Sequence, residues 1–184
     1  MKHLILFFSA AVFLLFTESA VSAQQIVYAD ASAFPLYGKV SEDTDGRYER
    51  LPSHLKTVSR EPVWYLGRNS AGLYIRFRSN STSIHLRWES IFNNSMTHMT
   101  DTGTKGLDLY ALQDGEWRHV CSAQPQGKKS ERAVIRYMDP IEREYMLYLS
   151  LYDGISSLEI GVDEGASLDM PAVDSPSSER PVVM

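Results

Sequence analysis

The chain has 184 residues, 43% hydrophobic and 22% charged, the size and balance of one folded domain rather than a large multidomain enzyme or a disordered segment. Eighteen Lys and Arg stand against 23 Asp and Glu, a net charge of −5, and no long basic run offers nucleic acid an electrostatic footprint. The single cysteine, Cys121, excludes a disulfide framework and a multi-cysteine metal site.

The first element is an address. Lys2 and His3 precede an apolar run from Leu4 to Phe16, followed by Ala20-Val21-Ser22-Ala23 and the polar pair Gln24-Gln25. A charged start, an apolar middle and small residues at a cleavage site predict a secretory signal peptide over 1–23. The run is short for a membrane span of about 20 residues, so no membrane association is expected after cleavage. The mature chain is expected to be secreted or periplasmic.

Beyond residue 24, period-two alternation recurs and helical periodicity is scarce. Ile26–Ala29 and Val63–Leu66 read as strands, separated by an irregular segment, Tyr37 to Arg60, with room for one helical turn. Leu73, Ile75 and Phe77 alternate with Tyr74, Arg76 and Arg78. After Ser79-Asn80-Ser81 the pattern resumes with Ile84, Leu86 and Trp88, which predicts a hairpin. Leu107, Leu109 and Ala111 alternate next, then Asp114-Gly115, then Trp117 and Val120. The run around Cys121 places His119 on the same strand face and suggests a buried, inert thiol. Ala133–Tyr137, the stripe Tyr145, Leu147, Leu149 and Leu151, and Leu158, Ile160 and Val162 complete eight or nine short strands. The predicted fold is all-β, an antiparallel, jelly-roll-like β-sandwich over 24–170. Residues 171–184, rich in Pro and Ser, read as a linker ending in an apolar run.

Catalytic signatures are missing. No Gly-x-Ser-x-Gly elbow, paired zinc histidines or phosphate-cradling glycine loop occurs, so no catalytic residue, metal ligand or cofactor is assigned. The informative stretch runs from Phe92 to Tyr110. It holds Asn93, Asn94, Met96, His98 and Met99 in a polar, Met-containing loop, then Asp108 and Tyr110 on one face of a strand whose other face carries Leu107 and Leu109. Two methionines around a histidine make an adaptable apolar surface with a polar tip. In the plainer alternative, Asp108 accepts backbone N–H groups at a strand start and the methionines fill a gap in the sandwich. A cryptic enzyme using His98 and Asp108 lacks a nucleophile.

Gly106-Leu107-Asp108-Leu109-Tyr110 resembles the Gly-x-Asp-Leu-Tyr signature of the β-sandwich domain that precedes the catalytic domain of certain bacterial SGNH/GDSL-type esterases. The Asn93–Met99 run, Leu149-Ser150-Leu151-Tyr152-Asp153-Gly154 and Leu158-Glu159-Ile160-Gly161-Val162 are similar to that family as well. The resemblance implies a parent enzyme that hydrolyses acyl esters, such as those on carbohydrates. The partner is then an SGNH catalytic domain, in the same chain or as a separate one, and the substrate an acylated glycan. It also implies that Arg180-Pro181-Val182-Val183-Met184 begins the strand leading to the catalytic serine, and that the serine, oxyanion hole and Asp-x-x-His pair fall outside 1–184. The chain itself is thereby expected to be a non-catalytic accessory domain that packs on the catalytic domain and shapes its cleft. Asn93–Met99, Asp108 and Tyr110 are then candidates for the interdomain surface. A stand-alone carbohydrate-binding module using Tyr74, Tyr148 and Tyr152 is the alternative.

Overall fold

The computed structural model describes residues 24–172; the predicted signal at 1–23 and nearly all of the predicted linker and strand at 171–184 lie outside them. Two antiparallel sheets face each other. The four-stranded sheet holds β1 (Ile26–Asp30), β4 (Ile84–Ser90), β7 (Lys129–Ile135) and β9 (Ile155–Asp163), in the order β1-β9-β4-β7. The five-stranded sheet holds β2 (Leu36–Tyr37), β3 (Tyr74–Ser79), β5 (Leu107–Gln113), β6 (Glu116–Ala123) and β8 (Arg143–Tyr148), in the order β2-β3-β8-β5-β6. The expected all-β sandwich is what forms.

The core lies between the sheets and is built from the predicted stripes. Ile84, Leu86 and Trp88 with Leu158, Ile160 and Val162 face Ile75, Phe77, Leu107, Leu109, Tyr145 and Leu147, all buried. Period-two alternation sends these side chains to one face because successive Cβ atoms point to opposite sides of a strand. Leu151 departs from its stripe: β8 ends at Tyr148, and Leu151 is 49% exposed.

Two predicted elements come out differently. Residues 61–67 form a helix, α1 (Glu61–Gly67), where a strand was expected. Pro62 cannot donate to a sheet ladder but fits the first turn of a helix, where its missing N–H has no partner anyway. The short apolar run Val63–Leu66 was ambiguous by periodicity alone. The second difference is the predicted hairpin. β3 pairs with β2 and β8, whereas β4 pairs with β9 and β7, so the chain crosses from one sheet to the other between Ser79 and Ile84. Both stripes are apolar because they meet across the core, a pattern that alternation cannot tell from side-by-side pairing. The helical turn expected within 37–60 is a 3-10 helix at Ser53–Thr57.

The crossing is held by a buried carboxylate. Asp163 accepts from the backbone N–H and hydroxyl of Thr82 and from those of Ser83, at 2.6–3.1 Å. Burial opposes its ionisation, but the bonds from Ser83 and Thr82 outweigh it and hold the carboxyl below its usual range. The hairpin that does form joins β5 to β6. Its two-residue turn, Asp114-Gly115, has φ of 52° and 79°, the doubly left-handed geometry that matches strand twist and favours this dipeptide.

Candidate functional site

The seven predicted site residues fall into two groups. Asn93, Asn94, Met96, His98 and Met99 lie in the loop from β4 to α2 (Asp101–Lys105), while Asp108 and Tyr110 lie on the outer face of β5. Among the described residues no hydrogen bond or ring contact joins the two.

The loop is anchored by buried charge. Asp153, fully buried, accepts from the N–H of Phe92 and of Gly154 at Oδ1 (3.0 and 2.8 Å) and from the N–H of Asn94 at Oδ2 (2.8 Å). Lys105, also buried, donates from Nζ to Asn93 Oδ1 at 2.8 Å and meets Asp101 Oδ2 at 3.2 Å. Its carbonyl accepts from Trp88 Nε1 at 3.3 Å, which ties the loop's far end to the core. Bonds from the Ser95 hydroxyl and then the Lys105 ammonium lower the pKa of Asp101. Asn93 takes a φ of 63°, a left-handed conformation that Asn tolerates better than most side chains. Asn94 accepts from the Tyr65 hydroxyl at 2.8 Å and donates to the carbonyl of Tyr152 at 2.9 Å.

Beyond these anchors, an isolated bridge between Met96 and Met99 closes a tight turn with His98 exposed at its tip. Met99 packs toward Gly103, and Met96 and Met99 are half-buried. Around the loop the surface is apolar. Val63, Tyr65, Leu66, Leu151 and Tyr152 are each 40–49% exposed, and the Tyr65 and Phe92 rings lie 4.3 Å apart. A groove of about 650 Å³, lined by Val40, Leu51, Pro52, Leu55, Val63 and Leu66, continues past Leu66 to Leu151 and Tyr152.

On the β5 face, Asp108 Oδ1 accepts from the Ser122 hydroxyl at 2.5 Å, and His119 Nε2 lies 3.3 Å from the same hydroxyl oxygen. Serine, histidine and aspartate meet here without forming a relay. The serine proton points to the carboxylate rather than to the imidazole, and the carboxylate does not orient the ring, as a nucleophile–base–orienter arrangement requires. Tyr37, Tyr74, Tyr148, Tyr110 and His119 form a row across the sheet with centroids 5.0–5.6 Å apart. The rings of Tyr74 and Tyr148 therefore pack chiefly on each other and on their neighbours. Tyr152 stands apart, beside the apolar groove.

His119 and Cys121 do not share a face. Leu109 pairs with Cys121 and Tyr110 with His119, so Val120 is an extra residue that bulges the strand. The bulge sends Cys121 inward, packed against the core, with its thiol donating to the Val134 carbonyl at 3.0 Å. Burial, and then the Asp108 carboxylate, push the thiol pKa up, as expected of an inert cysteine. No cluster of three or more metal-ligating side chains occurs among the described residues.

The family model "GxDLY: N-terminus of Esterase_SGNH_hydro-type" matches residues 26–168. The chain belongs to this GxDLY family. It is also similar to the crystal structure of a Bacteroides ovatus protein described as a GDSL-like lipase, with 34% identity and a TM-score of 0.76 over 80% of this chain. A salicylyl-acyltransferase, SsfX3, from a tetracycline biosynthetic pathway shares the fold at 19% identity and a TM-score of 0.54 over 82% of this chain. The matched region spans only 44% and 42% of those two chains. No curated protein matches significantly.

In this GxDLY domain the signature has a structural explanation residue by residue. A β-carbon on Gly106 would collide with the carbonyl oxygens of Thr102 and Ala123, so glycine lets α2 end directly against β6. Leu107 and Leu109 fill the core, Asp108 clasps Ser122 on the neighbouring strand, and Tyr110 packs edge-on to His119 and Tyr148. Sequence reasoning missed Asp153 and Lys105 as anchors. Asp153-Gly154 enters the sequence reading only as the end of the Leu149–Gly154 motif, and a lysine's burial leaves no mark in composition.

Proposed function

We propose that this GxDLY domain is the non-catalytic N-terminal unit of a secreted SGNH-type esterase. It docks on the catalytic domain through the end of the sandwich that carries the loop at 93–99 and the groove beside Leu66. The observation that supports this is the coincidence of a rigidly anchored loop with a continuous apolar surface. Side chains as apolar as Leu66 and Leu151, half-exposed together around one groove, mark an interaction surface. Burying them against a partner recovers the free energy of removing apolar area from water.

In the parent enzyme a serine of the catalytic domain attacks the acyl carbonyl, a histidine takes its proton, and backbone amides hold the oxyanion. The sandwich adds a wall: His98, at the tip of a turn closed by Met96 and Met99, sits where it reaches the cleft without taking part in the chemistry. Asp108 and Tyr110 serve the strand face. Residues 1–23 act as the export signal, and the substrate class is acyl esters on carbohydrate.

In a two-domain esterase carrying this sandwich, His98→Ala is expected to lower kcat/KM about tenfold, the loss of one contact worth about 1.4 kcal/mol. Asp108→Ala should change it by less than about twofold, within the range of a surface substitution. Turnover indifferent to His98→Ala would remove the loop from the cleft.

A further inference from the structure

We infer a separate binding site for a neutral sugar, in a cleft of about 440 Å³ beside the start of β9, lined by Arg47, Glu49, Arg68, Glu89, Ser90 and Ser156 among others. Glu49 is only 3% exposed and Ser90 is fully buried. Arg68 Nε donates to Glu49 Oε1 at 3.0 Å. Glu49 Oε2 and Ser90 Oγ are both buried with no hydrogen-bond partner among the described residues. Such atoms are rare in folded proteins, because an unsatisfied buried polar group loses its water without gaining a replacement. Two of the three such atoms belong to residues lining this one cleft; the third, Asn69 Oδ1, lies in a residue lining the groove by Leu66.

The backbone is adapted at the same place. Glu89 pairs with Ser157 and Ser90 with Ile155, so Ser156 is an extra residue in β9, and its hydroxyl donates to the Glu89 carbonyl at 3.0 Å. Bulges of this kind re-aim side chains at sheet ends and beside binding sites.

The charges select the ligand. The lining carries both signs, Arg47, Arg68 and Lys128 with Glu49 and Glu89. The charged groups are already occupied with one another or with nearby backbone: Arg68 with Glu49, Lys128 with Glu89 at 3.9 Å, and Arg47 with the carbonyl of Phe34 at 2.8 Å. What the orphaned pair requires is a neutral molecule that donates one hydrogen bond to a carboxylate oxygen and exchanges another with a serine hydroxyl. Sugar hydroxyls, each both donor and acceptor, can donate to the carboxylate oxygen and exchange a bond with the serine hydroxyl. This cleft is distinct from the apolar docking groove, so the site stands or falls without the interdomain reading.

The test is an NMR titration of the full chain with D-glucose, D-galactose and D-xylose, using sodium acetate and calcium chloride as charged controls. The expected result is saturable shifts of the Glu49, Ser90 and Ser156 amides with at least one sugar and none with acetate or calcium. Ser90→Ala and Glu49→Gln should each weaken that binding about tenfold. Absence of saturable shifts with all three sugars would overturn the assignment. So would binding undiminished in Ser90→Ala, or acetate or calcium shifting these amides in place of sugar. Should Glu49→Gln not fold, the wild-type shift map and Ser90→Ala decide alone.

Discussion

Asp153→Ala is expected to lower the melting temperature of this chain by about 10 °C, the loss of about 3–4 kcal/mol. One carboxylate serves the N–H groups of Phe92, Asn94 and Gly154. Removing it strands three donors at a site with no exposed surface. A buried unsatisfied donor costs about 1–3 kcal/mol, and the Phe92 and Asn94 groups can recover part of that as the loop opens to water. Asp153→Asn keeps one acceptor oxygen but turns an amide N–H₂ toward a donor, so about half of the loss should remain. Calorimetry on the three proteins checks the order. A melting temperature within about 2 °C of wild type for Asp153→Ala would mean that the loop does not depend on this anchor.

Charge placed in the apolar groove should separate the domains. Leu66 and Leu151 are each 49% exposed and line the same groove as Tyr152. In a buried interface, each leucine-to-aspartate change replaces apolar contact by a carboxylate stripped of water, which costs more than truncation alone. Leu66→Asp with Leu151→Asp is therefore expected to weaken association with a separately expressed SGNH catalytic domain by at least about 100-fold, or 2.7 kcal/mol. The same pair should leave the sandwich folded, because neither side chain belongs to the core. Sedimentation of the mixture reads the first effect, and far-ultraviolet circular dichroism checks the second. The wild-type chain alone should self-associate weakly through the same surface, and the double variant should be monomeric.

The fold was legible where burial follows chemistry simply. Leu73, Ile75 and Phe77, and likewise Ile84, Leu86 and Trp88, are buried as their alternation implies, and Asp114-Gly115 makes the turn its residue types favour. Pairing was less legible. The stripes of β3 and β4 look like the two arms of a hairpin, yet they sit in opposite sheets, because alternation reports which face is buried and not which strand lies alongside. Pro62 carried the signal for α1 that the apolar residues after it concealed. The single inserted residue Val120 turned His119 and Cys121 to opposite faces, and no local residue type announces such a bulge.

The candidate site was half legible. The loop at 93–99 and the strand at 107–110 were found together because they are adjacent in sequence, and the fold separates their roles. Asp108 and Tyr110 brace a sheet face, while the loop projects from an anchor supplied by Asp153, about 60 residues away in sequence. Contacts of that range leave no periodic trace. The orphaned atoms of Glu49 and Ser90 could not be read from the sequence at all, since only the folded chain shows which polar groups lack partners.

The most direct measurement is amide hydrogen exchange on this chain with and without an added SGNH catalytic domain. If the loop end is the docking surface, protection rises at residues 92–99 and around Leu66 and Leu151, while the outer face of the four-stranded sheet exchanges unchanged. Protection confined to that outer face, with the loop unaffected, would contradict the account.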